Sequence, residues 1–221
     1  MRAEVRIPAG AATLYGNIAV PPDAAGIVLF VHGSGSSRHS PRNRFVARTL
    51  NDAGLATLLF DLLTPEEEAE DVRTAHLRFD IGLLAERLGL ATDWISQEQA
   101  VRKLQIGYFG SSTGGGAALV AAAERPESAN AIVSRGGRPD LAGTALPKVR
   151  AATLLIVGGA DEVVIEMNRT AMARMRCEVK LELVPDATHL FEEPGALEQV
   201  AHLASEWFRR YLHPAAPKST V

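Results

Sequence analysis

The sequence predicts an α/β fold, a three-layer sandwich with a mostly parallel, doubly wound sheet of about eight strands. Short, continuous apolar runs recur along the chain, and stretches with helical periodicity separate them. Such runs are typical of strands buried on both faces, and their alternation with helices predicts helices on both sides of the sheet. With 221 residues, 47% of them hydrophobic, we expect one domain over residues 1–213 and a flexible, polar tail over 214–221.

The N-terminal segments set one edge of this sheet. Two short β-prone stretches flank a Pro-Ala-Gly-Ala turn and predict an antiparallel hairpin. The apolar runs at 26–31 and 55–60 predict the next two strands. Between them, Ser40 is a good N-cap, followed by a proline, and Gly54 is a typical helix end, so we expect a helix over 41–53.

The rest of the chain repeats the alternation of strand and helix. Apolar runs predict four further strands, at residues 104–109, 131–134, 153–157 and 179–184. Apolar spacing predicts three long helices, over residues 77–96, 165–176 and 196–212. Little helical pattern follows the strand at 131–134, so that crossover is expected to be irregular. The acidic residues at 66–71 are expected to form a solvated helical turn.

The most informative motif lies between a predicted strand and an alanine-rich helix. Residues 110–114 read Gly-Ser-Ser-Thr-Gly, which fits G-x-S-x-G with Ser112 at the centre. A nucleophile at a sharp strand-to-helix turn projects its Oγ into a cleft, and the crowded backbone there requires small neighbours. Ser112 is therefore the predicted nucleophile. The alternative is a glycine-rich turn that contains a serine by chance.

A serine hydroxyl needs a base to take its proton and an acid to orient that base. His189 is the best base, because it follows a predicted strand and precedes the last helix. Asp161 is the best acid, because it ends a buried strand after two glycines, whereas Asp186 is too local to orient the ring. The alternatives are a loop histidine with one backbone hydrogen bond and a solvent-facing aspartate. The order Ser112, Asp161, His189 is that of the α/β-hydrolase triad.

An oxyanion hole is expected from two backbone amides. One is the N–H of Thr113 at the start of the nucleophile helix, and the other is the N–H of Ser34 in the loop after the strand at 26–31. Because both act through the backbone, their side chains are expected to matter less. His32 and Gly33 belong to the same loop and are candidate substrate-binding residues, with loop shaping the simpler role for the histidine.

Arginines cluster near the predicted crevice. Arg135 and Arg138 follow the strand after Ser112, and three more flank the oxyanion loop: Arg38, Arg42 and Arg44. Arginines at a crevice bind carboxylates bidentately, so the substrate is hypothesised to carry an acidic group. The alternative is that these arginines pair with nearby carboxylates, namely Asp61, Asp80, Asp140 or the acidic turn. Phe191, two residues after the predicted base, is a further candidate for substrate contact.

The chain resembles the α/β-hydrolase superfamily and, within it, the dienelactone-hydrolase-like group. The resemblance rests on compact size, on Gly-Ser-Ser-Thr-Gly-Gly-Gly at 110–116 and on Ala-Thr-His-Leu-Phe at 187–191. It implies cofactor-free hydrolysis of esters or lactones. Dienelactone hydrolases proper use a cysteine nucleophile, whereas this site has Ser112, and Cys177 lies in a helix-to-strand connection. The departure favours a general serine carboxylesterase acting on short-chain esters or lactones.

Other functions remain open or are disfavoured at this point. The same triad serves thioesterases, amidases and acyltransferases, and a catalytically silent hydrolase-like binding domain is a rival from another class. A net charge of −3 gives no electrostatic case for nucleic acid or an anionic membrane. No metal-ligand motif is present, so no metal or cofactor is expected. Because the chain has a single cysteine and its N-terminus lacks an apolar signal core, we expect a cytoplasmic protein. The expected partner is a small-molecule ester or lactone substrate. The sequence does not indicate an oligomeric state.

Overall fold

The computed structural model describes residues 1–212, so the predicted tail at 214–221 and the last residue of the predicted domain lie outside the described residues. The strands are β1 (Arg2–Ala9), β2 (Ala12–Ala19), β3 (Gly26–Val31), β4 (Ala56–Phe60), β5 (Gln105–Ser111), β6 (Ala131–Arg135), β7 (Ala152–Gly158) and β8 (Val179–Val184). The helices are α1 (Pro41–Asp52), α2 (Pro65–Thr74), α3 (Ile81–Gln97), α4 (Thr113–Glu124), α5 (Glu162–Met172) and α6 (Ala196–Tyr211). Within residues 1–212, no helix is long and apolar enough to cross a membrane.

One sheet contains all eight described strands, in the order β1-β2-β4-β3-β5-β6-β7-β8. β2 pairs antiparallel with both of its neighbours, and the pairs from β4 to β8 are parallel. Two apolar cores cover the faces: α3 and α4 pack on one face, and α1 and α6 pack on the other. The predicted three-layer fold with its N-terminal hairpin is confirmed.

The strand order creates a crevice between β3 and β5. From β3 the chain passes through α1 to β4 on one side, and it then returns through α3 to β5 on the other side of β3. The helices that follow these two strands therefore leave toward opposite faces of the sheet. At such a switch point the loops at the carboxyl ends of the strands separate and form a ligand crevice. The loops that begin at His32 and Ser112 border it.

Local signals explain most boundaries. The Ser40 side chain accepts the N–H of Asn43 at 3.3 Å, and Gly54 ends the turn after α1 with φ +80°. The crossover after β6 is irregular, as expected: residues 139–148 form a 3₁₀ segment that is kinked at Gly143. α5 begins at Glu162 rather than at residue 165, so that Asp161 occupies its N-cap position.

The region 66–80 differs from its prediction. The expected continuous helix over 77–96 is broken, because a 3₁₀ turn ends at Asp80, whose Oδ1 accepts the N–H of Leu83 at 3.0 Å and caps α3. Asp71 is not solvated but is 1% exposed, and it accepts hydrogen bonds from the N–H of Leu77 and from Nε of Arg78. Burial alone would raise the pKa of Asp71, but these hydrogen bonds hold that pKa below its usual value.

Candidate active site

The nucleophile turn lies at the point where β5 meets α4. Ser112 has φ +51° and ψ −123°, a conformation that costs free energy for a residue with a Cβ. Its N–H donates to the carbonyl of Arg135 at 3.2 Å, and its own carbonyl accepts the N–H groups of Gly115 and Arg138 at 3.0 Å. Contacts to β6 and to the turn after it thus hold the strained serine in place.

The two outer glycines of the motif are required by close backbone contacts. A Cβ on Gly110 would lie 2.6 Å from the carbonyl oxygen of Gly114, and one on Gly114 would lie 2.1 Å from that of Val31. Any side chain at either position would force β3, β5 and α4 apart. The glycine spacing that indicated a nucleophile turn is therefore explained by the packing of this turn.

Asp161 and His189 come together beside the nucleophile turn. Nδ1 of His189 lies 2.8 Å from Oδ2 of Asp161, and the side chains are 40% and 17% exposed respectively. The carboxylate is an acceptor, so Nδ1 carries the proton and Nε2 keeps its lone pair. The ring packs on Gly136, where an added Cβ would lie 3.5 Å from Cε1 of His189. Gly136 belongs to the turn that holds the backbone of Ser112.

Within residues 1–212, the structure contains no hydrogen bond between Ser112 and His189, the predicted nucleophile and base. Within residues 1–212, neither Oγ of Ser112 nor Nε2 of His189 has a hydrogen-bond partner. Nucleophile and base often align fully only in the substrate complex. The arrangement therefore brings a strained serine and an oriented imidazole to one crevice, with one atom of each free to react.

The two predicted oxyanion donors also lie together, but one is occupied. The N–H of Thr113, in the first turn of α4, has no acceptor in the described part of the chain. The N–H of Ser34 donates to Oγ1 of Thr113 at 3.0 Å. The Thr113 side chain is thus in contact with the oxyanion loop, and the smaller role expected for it from the sequence stays a prediction.

His32 shapes the oxyanion loop from within. Its Nε2 accepts the N–H of Leu62 at 3.1 Å, its Nδ1 lies 3.1 Å from the carbonyl of Gly33, and the residue is 8% exposed. Burial lowers the pKa of His32, so the ring is neutral. Because both nitrogens are occupied, neither is free for a substrate. Gly33 has no room for a side chain, since a Cβ there would lie 2.9 Å from the carbonyl oxygen of Ser111.

The structure separates the two arginines that the sequence grouped together. Arg138 makes a bidentate pair with Asp140, with Nε–Oδ1 at 2.9 Å and Nη2–Oδ2 at 2.7 Å. Arg38 pairs with Asp61 in the same way that the alternative interpretation proposed. For these two residues the structure shows the alternative, pairing with nearby carboxylates.

Arg135 has no such partner. It is 8% exposed, and its buried Nε and Nη1 have no hydrogen-bond partner in residues 1–212. Its Cζ lies 5.8 Å from the ring centroid of Phe191, which is itself 1% exposed and so supports the arginine rather than presenting a surface. Burial and, to a lesser extent, the charge of Arg42 lower the pKa of Arg135 to about 10. The guanidinium remains charged at neutral pH.

Sequence reasoning missed contacts that join distant segments. Ser111 donates its hydroxyl proton to Oδ1 of Asn43 at 3.1 Å, which ties the nucleophile strand to α1. A cleft of about 690 Å³ runs beside the oxyanion loop and is bordered by Ser34, Arg42 and Leu63, among other residues. The only signal in the sequence for the contact with Asn43 is the serine at 111, directly before the predicted nucleophile. Among residues 1–212, no cluster of three or more His, Cys, Asp or Glu side chains is arranged to hold a metal ion.

Comparison with known proteins places this geometry in a family. A model of the dienelactone hydrolase family matches residues 14–213. A crystal structure of dienelactone hydrolase from Anabaena variabilis shares 62% sequence identity and superposes with a TM-score of 0.95, covering 96% of this chain and 99% of that one. The esterase domain of a Rhodothermus marinus protein has a TM-score of 0.75 at 20% identity, covering 96% and 99% of the two chains, and shows the shared fold.

Two curated relatives from Mycobacterium tuberculosis strains carry a provisional phosphoribosyl transferase name. Each is 56% identical over 214 residues, which is 97% of this chain but 47% of the relative. This chain therefore spans about half the length of those proteins. The family match over residues 14–213 and the solved structure at 62% identity agree: the chain belongs to the dienelactone hydrolase family and has the α/β-hydrolase fold.

Proposed function

We propose that this protein is a serine hydrolase that cleaves carboxylic esters or lactones through Ser112, His189 and Asp161. The observation that carries the proposal is the pair of His189 and Asp161, 2.8 Å apart, beside a serine held at φ +51°. Each group suits one role in acyl transfer. The serine on its strained turn is the nucleophile, the imidazole with its free nitrogen is the base, and the aspartate after β7 orients that imidazole.

The reaction proceeds in two steps, acylation of Ser112 and hydrolysis of the acyl-enzyme. His189 Nε2 takes the proton of Ser112 as Oγ attacks the ester carbonyl, and the imidazolium then protonates the leaving alkoxide as the C–O bond breaks. Water enters, gives a proton to the same nitrogen and attacks the acyl-enzyme, and Ser112 recovers its proton when the acid leaves. Asp161 holds the ring in the Nδ1–H tautomer and stabilises the imidazolium in both steps.

The nature of the acyl donor is inferred from the family and from the nucleophile. The Anabaena variabilis neighbour at 62% identity is a dienelactone hydrolase, which supports a lactone or ester as substrate. The insertion between β4 and α3 is small, comprising α2 and one 3₁₀ turn, which suits short and soluble substrates. Thioesters, amides and other acyl acceptors remain the alternatives, because the same oxyanion chemistry serves them.

The name of the two Mycobacterium tuberculosis relatives does not lead us to propose a phosphoribosyl transfer. More than half of each relative lies outside the match, so the named activity has other residues on which to reside. The pairing of Asp161 with His189 is suited to taking a proton from a hydroxyl, which favours acyl transfer in this chain.

Arg135 supports a substrate with an acidic group. A buried guanidinium without a partner is destabilising, and a carboxylate on the substrate would supply the missing acceptors. Arg42 also borders the cleft beside the oxyanion loop, but its Nη1 donates to Oε1 of Glu192 at 3.2 Å, so Arg135 alone carries this argument. We therefore propose that acidic esters or lactones are better substrates than neutral ones of the same size.

The first experiment tests Ser112 directly. The purified protein is mixed with a fluorophosphonate probe and with p-nitrophenyl acetate, alongside Ser112→Ala and the matched control Ser96→Ala, which removes an exposed hydroxyl at the far end of α3. Labelling and turnover are expected in the wild type and the control, and neither is expected in Ser112→Ala. Absence of labelling in the wild type would contradict the proposal and favour a silent binding domain. Labelling without turnover would shift the substrate to thioesters or amides.

A further inference from the structure

The oxyanion loop and the nucleophile helix are joined by one hydrogen bond that the mechanism has not used. The N–H of Ser34 donates to Oγ1 of Thr113 at 3.0 Å, across 79 residues of sequence. In the expected oxyanion hole, that N–H would instead point at the developing negative charge. A donor that already has an acceptor contributes less to a transition state. The oxyanion hole therefore lacks one donor unless the Thr113 hydroxyl takes the place of the Ser34 N–H.

The Thr113 hydroxyl has the chemistry to be that replacement. A hydroxyl that accepts one hydrogen bond still has a proton to donate. Thr113 is 3% exposed, and no group in the described part of the chain accepts its hydroxyl proton. Buried hydroxyl protons are normally donated to an acceptor, because leaving them unpaired is unfavourable. A substrate oxygen is the acceptor that this site lacks.

Neighbouring contacts fix the side of the Thr113 hydroxyl that accepts a hydrogen bond. The ring of His32 ties the oxyanion loop to the start of the segment after β4 through Leu62, and Gly33 packs on the carbonyl of Ser111. The Ser34 amide is thereby held against the acceptor side of the hydroxyl. The proton is consequently directed away from the loop, and the free N–H of the same residue, Thr113, lies at the N-terminus of α4 beside Ser112.

We infer that the Thr113 hydroxyl is a catalytic oxyanion donor, acting with the Thr113 N–H while the Ser34 amide polarises it from behind. The inference rests on the proposed function and names one more residue of that site. Successive hydrogen bonds strengthen one another, so a hydroxyl that accepts from an amide is a better donor to an anion. The positive end of α4 adds to the same field.

A competing arrangement makes the opposite prediction. The hydroxyl would then only fill the empty hole and would rotate away when substrate arrives, which would return the Ser34 amide to the oxyanion. Removing the hydroxyl would in that case free the amide and leave turnover unchanged or faster. The two arrangements therefore predict opposite effects on turnover when the Thr113 hydroxyl is removed.

The test compares Thr113→Val, which keeps the shape and removes the hydroxyl, with Thr113→Ser, which keeps the hydroxyl. Thr153→Val is the matched control, since it removes a buried threonine hydroxyl in β7 whose proton goes to the carbonyl of Ala151. With p-nitrophenyl acetate, we expect kcat to fall about 100-fold in Thr113→Val with KM changed less than about threefold, and Thr113→Ser to rescue most of the rate. Thr153→Val is expected to retain wild-type kcat.

A boronic acid gives a readout that a structural role would not move. Its tetrahedral adduct with Ser112 places an oxygen where the oxyanion forms, so its inhibition constant is expected to rise in Thr113→Val in proportion to the loss of kcat. Unchanged kcat in Thr113→Val, or equal losses in the valine and serine variants, would overturn the inference. These outcomes are read only after the wild type has been labelled by fluorophosphonate, so failure of the proposed function is recognised separately.

Discussion

Two histidine loops at the same edge of the sheet show opposite uses of one side chain. His32 follows β3, is 8% exposed and has both ring nitrogens against backbone groups. His189 lies in the loop after β8, is 40% exposed, and has one nitrogen on Asp161 and the other free. Both are placed at the crevice by the same strand topology. The number of occupied nitrogens, rather than the position along the sheet, therefore separates the structural histidine from the candidate base.

The same distinction separates two arginines three residues apart. Nε and Nη2 of Arg138 both donate to Asp140. Arg135 is more deeply buried, and its Nε and Nη1 have no hydrogen-bond partner in residues 1–212. A folded protein normally satisfies its buried polar groups, so a free donor or acceptor at a crevice points to a missing ligand. The following experiments contrast the occupied and the free member of each pair.

The largest effect is expected at His189. His189→Ala removes the free nitrogen and should lower kcat at least about 10⁴-fold, and Asp161→Asn should follow with a loss of about 10³- to 10⁴-fold, because the ring then takes the wrong tautomer. The measurement is kcat on p-nitrophenyl acetate, with circular dichroism to establish that both variants are folded. Retention of more than a tenth of the activity by His189→Ala would exclude this residue as the base.

The two arginines are expected to differ by a smaller factor. Arg135→Met should raise the KM for an acidic ester, relative to a neutral ester of equal size, by about 10- to 100-fold, because a charge-assisted hydrogen bond is worth about 1.5–3 kcal/mol. Arg138→Met is the control and should leave that ratio unchanged, since its charge is neutralised by Asp140. The same KM ratio in wild type and Arg135→Met would end the proposal of an acidic substrate.

The smallest effect is a pH dependence of stability at His32. Its folded-state pKa is lowered by burial from 6.5, so the neutral ring stabilises the fold above about pH 6.5 and that stabilisation is lost as the pH falls further. Between pH 7.5 and 5.5 the free energy of unfolding should therefore fall, because the unfolded chain takes up a proton that the buried ring does not. Urea titrations of wild type, His32→Gln and the exposed control His202→Gln measure it. The decrease should shrink in His32→Gln alone; an equal decrease in all three would assign it to other groups.

The sequence predicted the fold and the triad candidates because their signals are local. The strand at 179–184 matches at both ends, and the capping residue Ser40 and Gly54 mark their helix. Each triad candidate lies in the turn or loop that follows a strand, and the carboxyl ends of parallel strands share one edge. Secondary structure and strand order were therefore sufficient to bring Asp161 and His189 together.

What the sequence left open depends on contacts between distant segments. The burial of Asp71 requires Arg78 to fold back onto α2, and nothing in the acidic run indicates that contact. Arg135 and Arg138 look alike until β6 is known to end at residue 135 with its last side chain turned toward Phe191. The engagement of Thr113 by Ser34 likewise follows only from the packing of two loops.

The glycine contacts at the nucleophile turn determine where this protein can change. Positions 33, 110 and 114 have no room for even a methyl group, so a mutational scan should find almost no tolerated residue there. Val163 and Leu190, neighbours of Asp161 and His189, are 66% and 40% exposed. Sequence variation in this family is therefore expected at exposed positions such as these two, while the glycines that pack the turn at Ser112 stay constant.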